Sequence, residues 1–293
     1  MTPPDRFRHN ASMLAIAFAA VAAAMTAVDA VIVRMLAGEV HPFVIAFFRS
    51  LFGLLAILPW IAWRPAVLKT SYRLRHASRA ALKLLSLACG FAAFASAPLA
   101  DVMTIMFTAP VFVMLGAWLM LGEKLTLARI VSISCCFIGA VVILGAAGEG
   151  GALAALMLAV LAAALQASVQ LMLKKMSDRD SVETLVVWNL IVTVPIAAVP
   201  AWFFWSTPSY ANLSLLVLQG VLGAANMSLM TKAFSLAPAS HVAPVDFLRL
   251  PFVALLGFLL FGELARQSTW IGAVLIFGAL MAPLLMRGSR SKE

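Results

Sequence analysis

The chain has 293 residues, 63% of them hydrophobic and 11% charged, with a formal net charge of +9. A soluble domain carries an apolar fraction of about 45–50%, so this composition excludes one and makes lipid the solvent. Only helices and closed barrels satisfy their own backbone groups in hydrocarbon; the apolar runs here are continuous rather than alternating, which predicts an all-α polytopic membrane protein.

A span needs about 20 apolar residues, and ten are expected, over residues 12–36, 42–63, 81–97, 101–121, 127–146, 152–173, 183–205, 212–236, 240–261 and 268–286. The first resembles a signal peptide, with Arg6 and Arg8 before an apolar core, but the run continues past any cleavage site to Val33, which argues for a retained span. Fifteen Lys and Arg fall in the connections on the N-terminal side, against Arg266 on the other, with five more in or at the ends of spans. That bias predicts a multi-pass protein of the bacterial cytoplasmic (inner) membrane with both termini in the cytoplasm. It also accounts for the basic balance without a nucleic-acid partner. Cys89, Cys135 and Cys136 lie in apolar runs and read as small core residues. The four histidines are scattered, so no metal site, cofactor site or catalytic cluster is expected. A phosphate-cradling G-x-x-x-x-G-K-[ST] loop is also missing from the sequence.

Residues 97–123, APLADVMTIMFTAPVFVMLGAWLMLGE, align without a gap on 237–263, APASHVAPVDFLRLPFVALLGFLLFGE, at an offset of 140 residues with 10 of 27 positions identical. Ala-Pro opens both copies and Gly-Glu closes them, which apolar composition alone does not explain. The chain is therefore read as a duplication, with repeats over residues 1–150 and 151–293. Five spans per repeat is an odd number, so the second half is inverted relative to the first. Inverted repeats around a central cavity are an architecture of secondary transporters.

Two halves that each close the fourth span with Ala-Pro, a proline-bearing apolar run and Gly-Glu resemble the drug/metabolite transporter superfamily, specifically its EamA type. Arg49 in FFRSLFGLL and the small-residue runs after Gly122-Glu123 and Gly262-Glu263 are similar to the family pattern. The resemblance implies a cavity walled by spans 1, 3, 4, 6, 8 and 9. It also implies export of small metabolites by alternating access, with the bacterial exporters of aromatic or neutral amino acids as the nearest likeness. Cationic drugs and sugar or nucleotide metabolites are alternative cargoes within the superfamily. A membrane-embedded enzyme or a passive channel is the alternative of another class; an enzyme is not expected, because no nucleophile or acid/base set is legible.

Polar groups inside spans are costly and need a partner or a wet cavity. Asp29 and Arg49 lie ten residues on either side of Glu39, so at 1.5 Å per residue both sit about 15 Å deep. They read as an ion pair, with Asp29 also facing the cavity and Arg49 structural or gating. Lys232, Asp246 and Arg249 are expected to cluster around the turn at Pro238-Ala239, Lys232 and Asp246 towards solute and Arg249 as a brace. Asn226 falls near the midplane, and Gln166 and Gln170 lie four apart on one helix; these amides suit a zwitterionic or neutral solute and equally suit interhelical contacts. Pro110 and Pro251 interrupt the fourth and ninth spans and are assigned to gating. The expected partners are a small-molecule substrate, membrane lipid and protons as coupling ion through Asp29 or Asp246.

Overall fold

The continuous apolar runs become helices because each helix satisfies its own backbone. The computed structural model describes residues 3–121, 127–146, 151–176, 179–236 and 243–290. Among them are eleven α-helices and no strand: α1 (Pro3–Leu36), α2 (Pro42–Trp63), α3 (Arg73–Ser96), α4 (Leu99–Met106), α5 (Ala109–Leu121), α6 (Leu127–Ala146), α7 (Gly151–Met176), α8 (Val182–Phe203), α9 (Tyr210–Leu236), α10 (Arg249–Phe261) and α11 (Gln267–Arg290). Seven stretches are long and apolar enough to cross a membrane, and Ile133–Gly145, Arg249–Phe261 and Gln267–Ala279 are shorter apolar helices. The third helix begins at Arg73 rather than near residue 81.

Two predicted spans are broken. The fourth is interrupted at Phe107 and Thr108, between α4 and α5. A residue before proline is driven out of the helical region and proline has no N–H to donate, and the break falls just ahead of Ala109-Pro110. The Thr108 hydroxyl instead donates to the Ile105 carbonyl at 2.7 Å. In the ninth, a tight 3₁₀ turn over Ala243–Leu248 contains Pro244 and leads into α10, which carries Pro251 in its first turn. The expected turn at Pro238-Ala239 lies outside the described residues. Phe107 and Phe247, 140 residues apart, both stand at these breaks and stack on each other at 4.5 Å.

The same exchange runs through the packing. α1 packs on α9 as α7 packs on α3; α2 packs on α9 as α8 packs on α3; α1 meets α10 as α7 meets α5. α2 with α8 and α6 with α11 are contacts that exchange leaves unchanged. Across the last of these the Cys136 thiol points at the Ile276 carbonyl, again 140 residues on, at 3.7 Å. Close approach there depends on glycine: a Cβ on Gly272 would lie 2.8 Å from the Gly139 carbonyl oxygen. Small residues that let backbones touch are the usual adhesive between helices in lipid, where apolar burial supplies little drive.

Gly-Glu, which closes each repeat in the sequence, has a visible purpose in its second copy. Gly262 takes the left-handed conformation at φ 66°, which glycine adopts without strain. Gly262 N–H and Glu263 N–H donate back to the carbonyls of Phe258 and Gly257, the paired arrangement that ends helices at glycine. The chain thus stops α10 and returns Glu263 toward the bundle. Gly122 and Glu123 lie outside the described residues.

Candidate functional site

Between α1, α2, α3, α8, α9 and the start of α10 lies a cavity of about 330 Å³, at the small end of the range for small-molecule sites, about 300–1,000 Å³. Its polar lining is Thr26, Arg49, Ser50, Lys83, Asn189, Thr193, Asn226 and Arg249, with Leu87, Met227 and Met230 among the apolar groups. Ten of its sixteen lining residues are five pairs at the 140-residue offset: Arg49 with Asn189, Ser50 with Leu190, Gly53 with Thr193, Lys83 with Gly223 and Leu87 with Met227. A space lined by both members of a repeat pair straddles the line about which the halves exchange. The wall differs from the one the family resemblance implied. α2 and α8 contribute to it, whereas no lining residue comes from α4, α5 or α7. The reason is a glycine contact: a Cβ on Gly220 would sit 2.4 Å from Phe52 Cβ and 2.9 Å from Gly53 N, so α2 and α9 touch backbone to backbone.

Asp29 and Arg49 meet: the guanidinium donates from Nε to Asp29 Oδ1 at 3.2 Å, with both side chains about a fifth exposed. Asn226 donates to the Thr26 hydroxyl at 2.6 Å and to the Ala22 carbonyl at 3.2 Å, binding α9 to α1 at the cavity edge. The bond to Ala22 has a mate 140 residues away, where Ser86 donates to the Ala162 carbonyl at 2.9 Å and binds α3 to α7.

Gln166 accepts from Lys83 Nζ at 2.7 Å. Neither glutamine is among the cavity-lining residues, and Gln170, expected beside Gln166, is exposed; four residues along a helix move a side chain about 6 Å and rotate it by about 40°. Lys232 is also exposed and outside the lining, five residues past Met227 and two past Met230 on α9. The Arg249 guanidinium packs 5.0 Å over the Phe107 ring, while the Asp246 side chain lies outside the described residues, and with it the expected three-residue cluster. Pro110 is not in the cavity wall, and Pro251 is exposed on α10.

Sequence reasoning passed over several groups. Lys83 stands near the start of the third apolar run, expected over 81–97, yet α3 begins ten residues ahead of it at Arg73 and carries it to the cavity. Asn189 and Thr193, in an apolar run with no charge to mark them, are buried in the wall; their offset from Arg49 and Gly53 was the available signal. Arg34, near the end of the first apolar run, donates to Glu263 Oε1 at 2.9 Å and to the carbonyls of Phe94, Ala95 and Ala97 at 2.9–3.3 Å. Glu263 Oε2 accepts from Leu99 N–H at 2.9 Å. A cation on the last carbonyls of α3 and a carboxylate on the first amide of α4 both oppose helix-end partial charges, so one ion pair closes this end of the bundle across α1, α3, α4 and the link after α10.

At the opposite end of α3 one of the scattered histidines has an acidic partner. His76, fully buried, lies 3.0 Å from Asp180 Oδ2; the Asp180 carboxylate also accepts from the Thr70 hydroxyl and from Ser71 N–H. Burial raises the Asp180 pKa, but these hydrogen bonds outweigh it and hold the carboxyl below its ordinary value. Arg79, counted from sequence among connection charges, is 4% exposed and donates to the Leu185 carbonyl. This group clasps α3 to α8; no cavity-lining residue belongs to it.

The profile of the EamA-like transporter family matches residues 13–145 and again residues 153–283. The chain is 34% identical over 252 residues to a riboflavin transporter of Rhizobium johnstonii, covering 85% of this chain and 82% of that one. It is 29% identical over 249 residues to an S-adenosylmethionine uptake transporter of Rickettsia bellii, covering 85% of each. It is also 28% identical over 239 residues to a pseudopaline exporter of Pseudomonas aeruginosa, covering 81% of this chain and 84% of that one. A crystal structure at 17% identity superposes with a TM-score of 0.63 over 95% of this chain and 97% of its own; at that identity the likeness is one of fold.

Proposed function

The chain belongs to the EamA-like transporter family, and from that premise we propose a secondary carrier of two inverted five-span halves, residues 1–150 and 151–293, that alternates access to the cavity between them. It is a membrane transporter and not an enzyme. The observation that carries the mechanism is the five repeat pairs among the cavity-lining residues. A solute in that space touches both halves and stays nearly still while they rock about it. The ten spans put both termini in the cytoplasm, on the side where Lys and Arg concentrate. Asp29, Asn226, Gln166 and Arg49 belong to the binding region, and Asp246 is assigned to it through its place ahead of Arg249. Protons are the coupling ion of this reading, through Asp29 or Asp246.

The wall is rich in donors. Arg49, Lys83, Asn189 and Asn226 face one space, which suits a solute with clustered acceptors. A flavin, whose ring presents adjacent carbonyls and whose side chain is a polyol, meets that requirement, and the relative at 34% identity is a riboflavin transporter. The flavin class is therefore the leading substrate. Export of aromatic or neutral amino acids is the second reading, supported by the match between a carboxylate and the same donors. S-adenosylmethionine is disfavoured, because its sulfonium would face Arg49, Lys83 and Arg249.

Counterflow in proteoliposomes tests the proposal: internal solute should accelerate entry of labelled riboflavin, riboflavin 5′-phosphate or an aromatic amino acid, and flux should saturate. Asn226→Ala should lower that flux with the protein retained in the membrane. Non-saturable flux, or no counterflow with any flavin or amino acid, overturns the reading.

A further inference from the structure

Two cations of the cavity wall, Arg49 and Lys83, keep donors that the described residues do not engage. Arg49 donates to Asp29 through Nε alone, and its Nη1 and Nη2 bond to no group among the described residues. Gly223, the repeat mate of Lys83, leaves the guanidinium room: a Cβ there would lie 3.1 Å from Arg49 Cζ and Nη2. Lys83 donates one proton to the neutral amide of Gln166 and makes no ion pair among the described residues. Among the described residues its charged neighbours are Arg49, Arg79, Arg249 and one acid, Asp29. A cation partnered, among the described residues, by an amide is costly within a membrane and is retained where it serves a solute pathway. Nor is the charge inherited from the duplication, since the mates of Arg49 and Lys83 are Asn189 and Gly223.

We infer that Lys83 Nζ and the outer edge of the Arg49 guanidinium form an anion subsite that receives a carboxylate or phosphate group of the transported solute. A bidentate guanidinium edge and an adjacent ammonium match the planar oxygens of either group. The subsite deepens the carrier reading above, on which it rests, by selecting the acidic member of a substrate pair over its uncharged or cationic relative.

The test begins without any substrate. In protein carrying Cys89→Ala, Cys135→Ala and Cys136→Ala, a cysteine replaces Leu87, which lines the cavity one turn from Lys83. It is then modified with sulfonatoethyl or trimethylammonioethyl methanethiosulfonate. Relative to free cysteine, the anionic reagent should be favoured by about tenfold or more, as a cavity of one sign concentrates its counter-ion. Lys83→Gln should erase most of that preference and Lys83→Arg should keep it. Equal rates, or a preference untouched by Lys83→Gln, overturn the subsite; should Lys83→Gln fail to express, the Lys83-containing ratio decides alone. In protection assays riboflavin 5′-phosphate should act at about tenfold lower concentration than riboflavin, and phenylalanine at about tenfold lower than phenylalaninamide. If neither pair protects but the anionic preference persists, the flavin and amino-acid readings fall and the subsite stands. If riboflavin and phenylalaninamide protect as well as their acidic counterparts, the carrier stands and the subsite falls.

Discussion

Gly220→Ala tests the contact that shapes the cavity. The new methyl would lie 2.4 Å from Phe52 Cβ, 2.9 Å from Gly53 N and 3.0 Å from the Phe52 carbonyl carbon. Carbon atoms prefer about 3.5–4.0 Å, so α2 must withdraw from α9 by about 1 Å, and because two of the three obstacles are backbone no rotamer change relieves them. Overpacking of this kind costs about 1–3 kcal/mol, or about a 5- to 150-fold change in the folded-to-unfolded ratio. The matched control is Gly278→Ala, whose Cβ meets nothing within 4 Å and which removes the helix penalty of glycine, about 0.5–1 kcal/mol. Both variants should be heated in detergent micelles and the fraction remaining monodisperse measured. Gly220→Ala should lose the folded protein at clearly lower temperature, with flux reduced even where it remains folded, because Gly53 and Gly220 both line the cavity. Survival of Gly220→Ala equal to that of Gly278→Ala would refute the backbone contact and the account of why α2 walls the cavity.

Asp29 and Arg49 should couple. Either single neutralisation strands a charge inside the bundle, so Asp29→Asn with Arg49→Gln should be milder than the worse single variant in yield of folded protein; additive losses would show that the pair is not a unit. Glu263→Gln weakens a charge-assisted bond to Arg34 worth about 1.5–3 kcal/mol. It should raise labelling of a cysteine at Leu87 by an impermeant reagent applied from the outer side of the proposed topology by about tenfold, and unchanged labelling would exclude the pair as a closure. Asp180, held low by its hydrogen bonds, stabilises the α3–α8 clasp above its unfolded pKa of about 3.9, and that stabilisation is lost as pH falls through the depressed folded value. Thermal stability of Asp180→Asn should therefore be lower than that of the parent at pH 7, with the difference closing below about pH 3.9; a gap that persists in acid would assign the clasp to packing. Cysteines at Ser71 and Ser209 should label from the cytoplasmic and the outer side respectively, and labelling of both from one side would undo the proposed parity.

Much of the architecture was legible because lipid leaves the backbone few choices. A continuous apolar run must be a helix, and an offset repeat must place equivalent residues in equivalent surroundings. The 140-residue register found between Ala97 and Glu263 extends to contacts outside that segment, from the Ser86–Ala162 and Asn226–Ala22 bonds to Cys136 against Ile276. Depth counting from Glu39 likewise brought Asp29 and Arg49 together, since two antiparallel helices joined by a short turn share a coordinate along their axes. Lateral position has no such coordinate. Whether a helix turns a polar residue to the cavity, to a neighbour or outward depends on its rotation and crossing point, and those follow from glycines such as Gly53 and Gly220, 167 residues apart, meeting across two helices. Gln166 and Gln170 show the limit: equal in sequence, one bonds Lys83 while the other is exposed. The sequence by itself determined the solvent, the helices and the duplication, because these are set by composition and local backbone satisfaction. Only the tertiary structure decided that Lys83 enters the cavity, that Arg34 finds Glu263 and that His76 finds Asp180, because each depends on how elements far apart in the chain are placed against one another, which no local pattern encodes.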